Sequence, residues 1–262
     1  MNIIEPILLG IVQGVTEWLP VSSEGISSIV LVNFFGKSLE EAVFLSIWLH
    51  TGTLFAALVY FRKEIMGIIK NLSKYKVKSM EGYNGLTTFL IVSTLLTGVI
   101  GAPLLLFGLN EIKFSGSHTM AFIGLLLIVT GLFQRFGKKV EGIKKDLKIR
   151  DAILVGIVQA FSVLPGLSRS GLTTSVLLFE KHEARQALRL SFLMSIPAVL
   201  AAEVGLGLLG KISFDLYSLI AIFFSFVFGL ATIKILMKVA RKVDFSWFCI
   251  FLGLMAVMTL FI

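Results

Sequence analysis

The sequence predicts an all-α polytopic membrane protein: six transmembrane helices plus two re-entrant helical hairpins, arranged as an inverted-topology repeat. Three observations predict it. Hydrophobic residues make up 56% of the chain and charged residues only 15%, against roughly 25% charged in soluble domains. Six apolar stretches, 42–61, 86–107, 117–136, 190–210, 216–233 and 245–262, have the length of roughly 20 residues that a helix needs to cross hydrocarbon. Finally, residues 7–25 (ILLGIVQGVTEWLPVSSEG) return at 153–171 (ILVGIVQAFSVLPGLSRSG), with eight of 19 positions identical and no gap.

The elements follow in order. Apolar runs at 6–16 and 26–35 flank the first copy of the repeat, and runs at 152–164 and 172–179 flank the second. Each is too short to span, so each pair reads as a hairpin that enters the bilayer and turns back. A weaker echo continues downstream, LSIWLHTGTLFAA at 45–57 against LSFLMSIPAVLAA at 190–202. Three spans separate the two hairpins, and an odd number inverts the second copy. The chain is then a single integral membrane domain, 1–262, with repeat 1 at about 1–136 and repeat 2 at about 150–262.

Charge sets the orientation. Most of the 24 Lys and Arg fall in four connections, 62–85, 135–150, 180–189 and 234–244. The alternate connections hold only Lys37, Lys113 and Lys211. Basic loops stay in the cytoplasm, which puts both termini outside it in the cell membrane. The net charge of +8 is thereby explained by topology and anionic lipid, and a nucleic-acid partner is not expected. The first residues lack a basic n-region and carry Glu5 and Pro6, so no cleavable signal is expected. Cys249, alone inside an apolar stretch, reads as a small hydrophobe.

The polar residues concentrate where the hairpins turn. The first tip reads QGVTEWLPVSSEG at 13–25, the second LPGLSRSGLTT at 164–174. Pro and Gly end one half-helix, and Ser or Thr opens the next. An opening half-helix exposes unpaired N–H groups and the positive end of its dipole, an anion site. Arg169 adds a planar fork of donors that matches phosphate. Glu17 ends the first half-helix, where it must bind a cation, pair with Arg169 or hold a proton. Charged groups at this depth cost about 2.5–3.5 kcal/mol on insertion scales, which marks Glu17 and Arg169 as functional; an ion pair that merely ties the hairpins together is the alternative. Ser22, Ser23, Ser168, Ser170 and Thr173 either contact a phosphate or cap helices. Gln13 and Gln159 take matching places, for site contacts or interhelical hydrogen bonds. His50, mid-span, is a site residue or a satisfied core histidine. Glu203 is a cavity carboxylate or the partner of a buried polar group. Glu24, His118 and His182 read as interfacial. There is no zinc-spaced His/Cys cluster, GxGxxG or Walker loop.

The two tips resemble the motifs of the undecaprenyl-diphosphate phosphatase, or bacitracin-resistance, family. QGVTEWLPVSSEGI at 13–26 is similar to QGxTEFLPVSSxGH, PGLSRSGLT at 165–173 to PGxSRSGxT, and LHTGTL at 49–54 to LHLGTL. The resemblance covers essentially the whole chain. It implies hydrolysis of a polyprenyl diphosphate lipid to the monophosphate, for recycling of a carrier lipid in cell-wall synthesis and bacitracin resistance, with a divalent cation (Mg or Ca). It implies roles for Glu17, Ser22, Ser23, Ser168, Arg169, Ser170 and Thr173. The expected division of labour has Glu17, Ser23 (or a water activated by Glu17) and Arg169 catalytic, Glu17 also on the metal, and Gln13, Ser22, Ser168, Ser170, Thr173 and His50 binding substrate; a homodimer is compatible with all of this. The departure is Ile26, where the family has histidine. It leaves open a phosphatase without that imidazole, another residue in its role, or a protein that moves lipid phosphate. Transport is the second expectation, because broken inverted repeats are as typical of carriers as of enzymes.

Overall fold

The computed structural model describes residues 3–76, 79–108, 117–138, 146–208, 215–239 and 245–261. Among them every regular element is helical. The first copy of the repeat gives α1 (Ile4–Thr16) and α2 (Ser23–Phe35). At 1.5 Å per residue each is about 20 Å long, short of the roughly 30 Å of hydrocarbon. Gly36, at φ 62°, closes α2 in the left-handed conformation that glycine adopts freely. A reciprocal cap, Glu41 N–H to Ser38 Oγ and Ser38 N–H to Glu41 Oε2, each 3.2 Å, then opens α3 (Leu39–Tyr60). A short amphipathic helix, α4 (Arg62–Asn71), leads to α5 (Gly82–Pro103) and its terminal π-helical turn Leu104–Gly108. α6 (Ser117–Lys138) completes the first copy.

The second copy repeats the plan with α7 (Ile149–Ala160), α8 (Arg169–Phe179), α9 (Ala184–Leu208), α10 (Leu216–Val239) and α11 (Ser246–Met258). Five helices, α3, α5, α6, α9 and α10, are long and apolar enough to cross a membrane. The sixth expected span, 245–262, is shorter among the described residues. It consists of α11 and a 3₁₀ turn at Thr259–Phe261, about 25 Å in all. Parts of the basic connections (139–145 and 240–244), and those holding Lys113 and Lys211, lie outside the described residues.

The two copies exchange partners. α1 packs on α10 of the other copy, and α7 packs on α5. Gly10 and Gly156, equivalent by the repeat, mark both contacts. A Cβ at Gly10 would run into the Ala221 carbonyl, and one at Gly156 would stand 2.7 Å from the Ser93 carbonyl. Such close backbone approach is how membrane helices gain van der Waals contact where no hydrophobic effect drives them together. The last helices of the copies, α6 and α11, pair with each other. At one end of that pair Arg135 lies 4.4 Å over the Trp247 ring, a cation–π contact suited to the headgroup level. The outer faces of the long helices carry exposed Leu95, Val99, Phe223 and Leu254. The polar residues turn inward, where Trp18 packs edge-on against Phe192 at 5.0 Å.

His182 follows the second hairpin directly. It is fully buried, 3.0 Å from the Asp151 carboxylate, and ties the end of the second hairpin to its beginning. Glu203 accepts a hydrogen bond from Thr51 at 2.9 Å, and so joins α9 to α3.

Candidate active site at the meeting hairpin tips

Each tip is shaped by its own hydroxyls. Ser22 adopts a left-handed conformation, φ 61°, and its Oγ accepts the Gly25 N–H at 3.1 Å to cap α2. A serine held there stores roughly 1 kcal/mol of strain or more. Ser168 caps α8 by accepting the Gly171 N–H at 3.2 Å. The tips then touch. Gly166 donates its N–H to Ser22 Oγ at 3.1 Å, and Ser170 Oγ donates to the Leu19 carbonyl at 3.0 Å. α6 holds both tips from one side. Thr130 donates to the Gly166 carbonyl at 2.9 Å and accepts the Ser168 N–H at 3.0 Å, while Gln134 donates to the Pro20 carbonyl.

Glu17 is the hub of the junction, and its carboxylate is almost wholly buried. Arg169, from the other tip, donates through Nη2 to Oε1. Oε2 receives Gln13 Nε2 at 3.0 Å and Ser23 Oγ at 2.8 Å, and lies 2.8 Å from His50 Nε2. His50 comes from α3 and enters between the tips. Its Nδ1 lies 2.7 Å from the Ser46 carbonyl, an acceptor only, so Nδ1 carries a proton. The short approach of Nε2 to a carboxylate oxygen requires a second proton between them. The Glu17–His50 pair therefore holds one exchangeable proton beside the Ser23 hydroxyl. Arg169 also reaches sideways, through Nη1, to the Ser191 carbonyl at 3.3 Å.

A small pocket lies over this cluster. Its walls include Glu17, Ser23, Glu24, His50, Ser168 and Arg169. Its volume is about 20 Å³, room for one water-sized group. Ser22 and Ser170 also line it, whereas Gln13 and Thr173 do not. Gln13 supports Glu17 from behind. Thr173 Oγ1 is engaged with the Arg169 carbonyl and Ser191 Oγ, both at 2.7 Å, and braces the first turn of α8. The N–H groups of Gly25, Gly166, Ser168 and Gly171 are likewise engaged by Ser22, Ser168 and Thr130. These four serve the junction, so the positive charge turned to the pocket centres on Arg169.

Three residues are not marked as site residues by the sequence. Glu24, expected at the water interface, lines the pocket with Oε1 3.8 Å from His50 Nε2 and Oε2 buried without a hydrogen-bond partner. Its signal was its place beside Ser23, in the first turn of a half-helix. Thr130 and Gln134, by contrast, stand in α6 with no local motif. Ile26 follows Ser22 by one turn, half-buried, and the pocket's imidazole is His50 instead.

Residues 6–258 match the family described as bacitracin resistance protein BacA. The chain belongs to that family. Archaeal relatives share it over nearly their whole length. A protein of Methanococcoides burtonii named undecaprenyl-diphosphatase is 49% identical over 265 residues, covering 100% of both chains. One of the same name from Methanothrix thermoacetophila is 38% identical, covering 97% of this chain and 95% of its own. A third, from Haloarcula marismortui, is 36% identical over 96% of this chain and 94% of its own.

Proposed function

We propose that this BacA-family protein is a polyprenyl diphosphate phosphatase, cleaving an undecaprenyl-type lipid diphosphate to the lipid monophosphate and phosphate. The observation that carries the reading is the Ser23 hydroxyl donating to Glu17 at 2.8 Å, with Arg169 on the other oxygen of the same carboxylate. A nucleophile bonded to a base, with an anion-binding guanidinium beside both, is the equipment of phosphoryl transfer. The names of the relatives favour hydrolysis over transport.

In the mechanism the terminal phosphate replaces Glu17 on part of the Arg169 fork. Ser23 Oγ attacks the terminal phosphorus, and its proton passes to Glu17. The bond from that phosphorus to the bridging oxygen breaks. His50 gives the shared proton to the departing lipid monophosphate, and water then releases phosphate from Ser23. His50 thus does the work of the imidazole absent at position 26, worth roughly 10²–10⁴-fold. Ser168 and Ser170 face the phosphate, while Ser22, Gln13 and Thr173 hold the groups that do.

Glu17 Oε2 already meets three partners, so a divalent cation is better served by Glu24, whose Oε2 is free of hydrogen bonds. Magnesium or calcium held there would neutralise charge on phosphate oxygens. Both tips come from one chain, so the reaction needs no second copy. The basic connections support placing the protein in the cell membrane with six crossings, two re-entrant hairpins of opposite sense and both termini outside the cytoplasm. The test is release of phosphate from undecaprenyl diphosphate by purified protein, with and without chelator. Chelator-sensitive release is expected. Absence of release, with uptake of lipid phosphate into proteoliposomes, would replace the reading with transport.

A further inference from the structure

Helical glycine is unfavourable by roughly 1 kcal/mol against alanine, and it persists where a neighbour needs the room. In this protein that need is usually visible. Gly10, Gly52, Gly124, Gly156 and Gly253 each have a backbone carbonyl pressed against the place where a Cβ would stand. Gly98 on α5 and Gly205 on α9 break the pattern. Nothing lies within 4 Å of the Cβ position of either. Both border the same cavity, about 220 Å³, whose walls are mostly apolar. The cavity is not isolated. Glu24, His50, Ser162 and Arg169 belong both to its wall and to the wall of the polar pocket. Gln159, whose carbonyl accepts from Ser162 at 2.7 Å, lines the apolar cavity and is buried with its Oε1 unpartnered. At Thr94 the cavity meets a second apolar groove, about 460 Å³, bordered by Ile68, Leu90 and Leu193. Along α5 the two extend from Thr87 to Leu106, about 28 Å at 1.5 Å per residue.

We propose that this seam between α5 and α9 is the binding lane for the prenyl chain of the substrate, kept open by Gly98 and Gly205. The proposal rests on the phosphatase reading for its head group. A phosphate held by Arg169 must direct whatever it carries out of the polar pocket, and this exit is wide and apolar. An isoprenoid bears a methyl branch on every fourth carbon of its backbone and is broader than a plain acyl chain. Two missing side chains on facing helices give it that width. The lane makes the protein selective for long prenyl chains, because a short one leaves the Thr87 end of the seam unfilled.

The test uses full-length protein in detergent. Affinity for undecaprenyl monophosphate and for farnesyl monophosphate is measured by calorimetry in the wild type, Gly98→Leu, Gly205→Leu and Leu193→Trp, so that the readout does not require turnover. Each substitution should lower the long-to-short affinity ratio by about tenfold, the worth of roughly two displaced methylenes. Leu193→Trp, which borders only the second groove, should affect only the long lipid. Equal losses for both lipids, or no loss for either, would overturn the lane. If Leu193→Trp fails to fold, Gly98→Leu and Gly205→Leu, whose added side chains start in open space, carry the test. Failure of the wild type to hydrolyse the diphosphate, with the affinity ratio still falling, would reject the phosphatase reading and keep the lane.

Discussion

Arg169→Lys keeps the charge and removes the fork. In the structure the two terminal nitrogens of Arg169 diverge, Nη2 to Glu17 and Nη1 to the Ser191 carbonyl at 3.3 Å. In the proposed mechanism that divergence would let the guanidinium stay anchored on α9 while it receives a phosphate. A lysine ammonium is a point donor and cannot span both directions. The variant should fold, because a cation still faces the buried Glu17; Arg169→Ala would instead strand that carboxylate at about 3–5 kcal/mol. The loss on lysine substitution is one charge-assisted hydrogen bond in the transition state, about 1.5–3 kcal/mol, or roughly 10- to 150-fold in kcat/KM. Phosphate release from the lipid diphosphate, measured beside thermal unfolding in detergent, reads both quantities. A lysine enzyme within threefold of wild type would remove Arg169 from the phosphate site and leave the ion pair as a structural tie.

Other outcomes follow from the same geometry. Thr130→Val preserves shape but leaves the Gly166 carbonyl and the Ser168 N–H without their partner. It should destabilise the fold by about 2 kcal/mol and lower turnover, read as a drop in melting temperature with a parallel loss of rate; unchanged stability would mean that α6 does not set the second tip. His50→Gln should lower kcat by about 10²-fold or more through lost proton transfer. Ile26→His in that background should restore part of the rate, with a pH optimum drawn toward the histidine range near about 6.5; a His50→Gln enzyme of normal rate would assign the proton elsewhere. Single cysteines at Ser23 and Ser168, combined in a Cys249→Ser background, should be joined by a short bifunctional reagent, and less readily with lipid diphosphate present. No crosslink in either state would separate the tips.

Much of this architecture is legible in the chain because it is written twice. The offset between Gln13 and Gln159, or Ser22 and Ser168, places two broken segments in register before any packing is known, and hydropathy marks the long helices. What the sequence hides has physical causes. α4 is amphipathic and rich in Lys and Arg, so it reads as a polar connection. α11 and its terminal turn are as apolar as a span but shorter. The half-helix N–H groups were expected to face an anion, yet several are engaged by Ser22, Ser168 and Thr130, because a buried donor takes the nearest acceptor. Glu24 was not read as a site residue because one sequence shows composition along a helix turn and not which side chains meet His50 across the fold. Glu17, Ser23 and Arg169 were legible because charge and hydroxyls at membrane depth are costly without a task. Their convergence with His50, from a helix that carries no broken segment, required the fold.

In the proposed mechanism Ser23, activated by Glu17, attacks the terminal phosphate. The most direct measurement is acid-quenched single turnover of the purified protein with undecaprenyl diphosphate, followed by intact mass and peptide mapping. A phosphate on Ser23 should form and decay at the rate of phosphate release, and Ser23→Ala should give neither adduct nor release. Sustained phosphate release by Ser23→Ala would contradict it and hand the attack to a water held by Glu17.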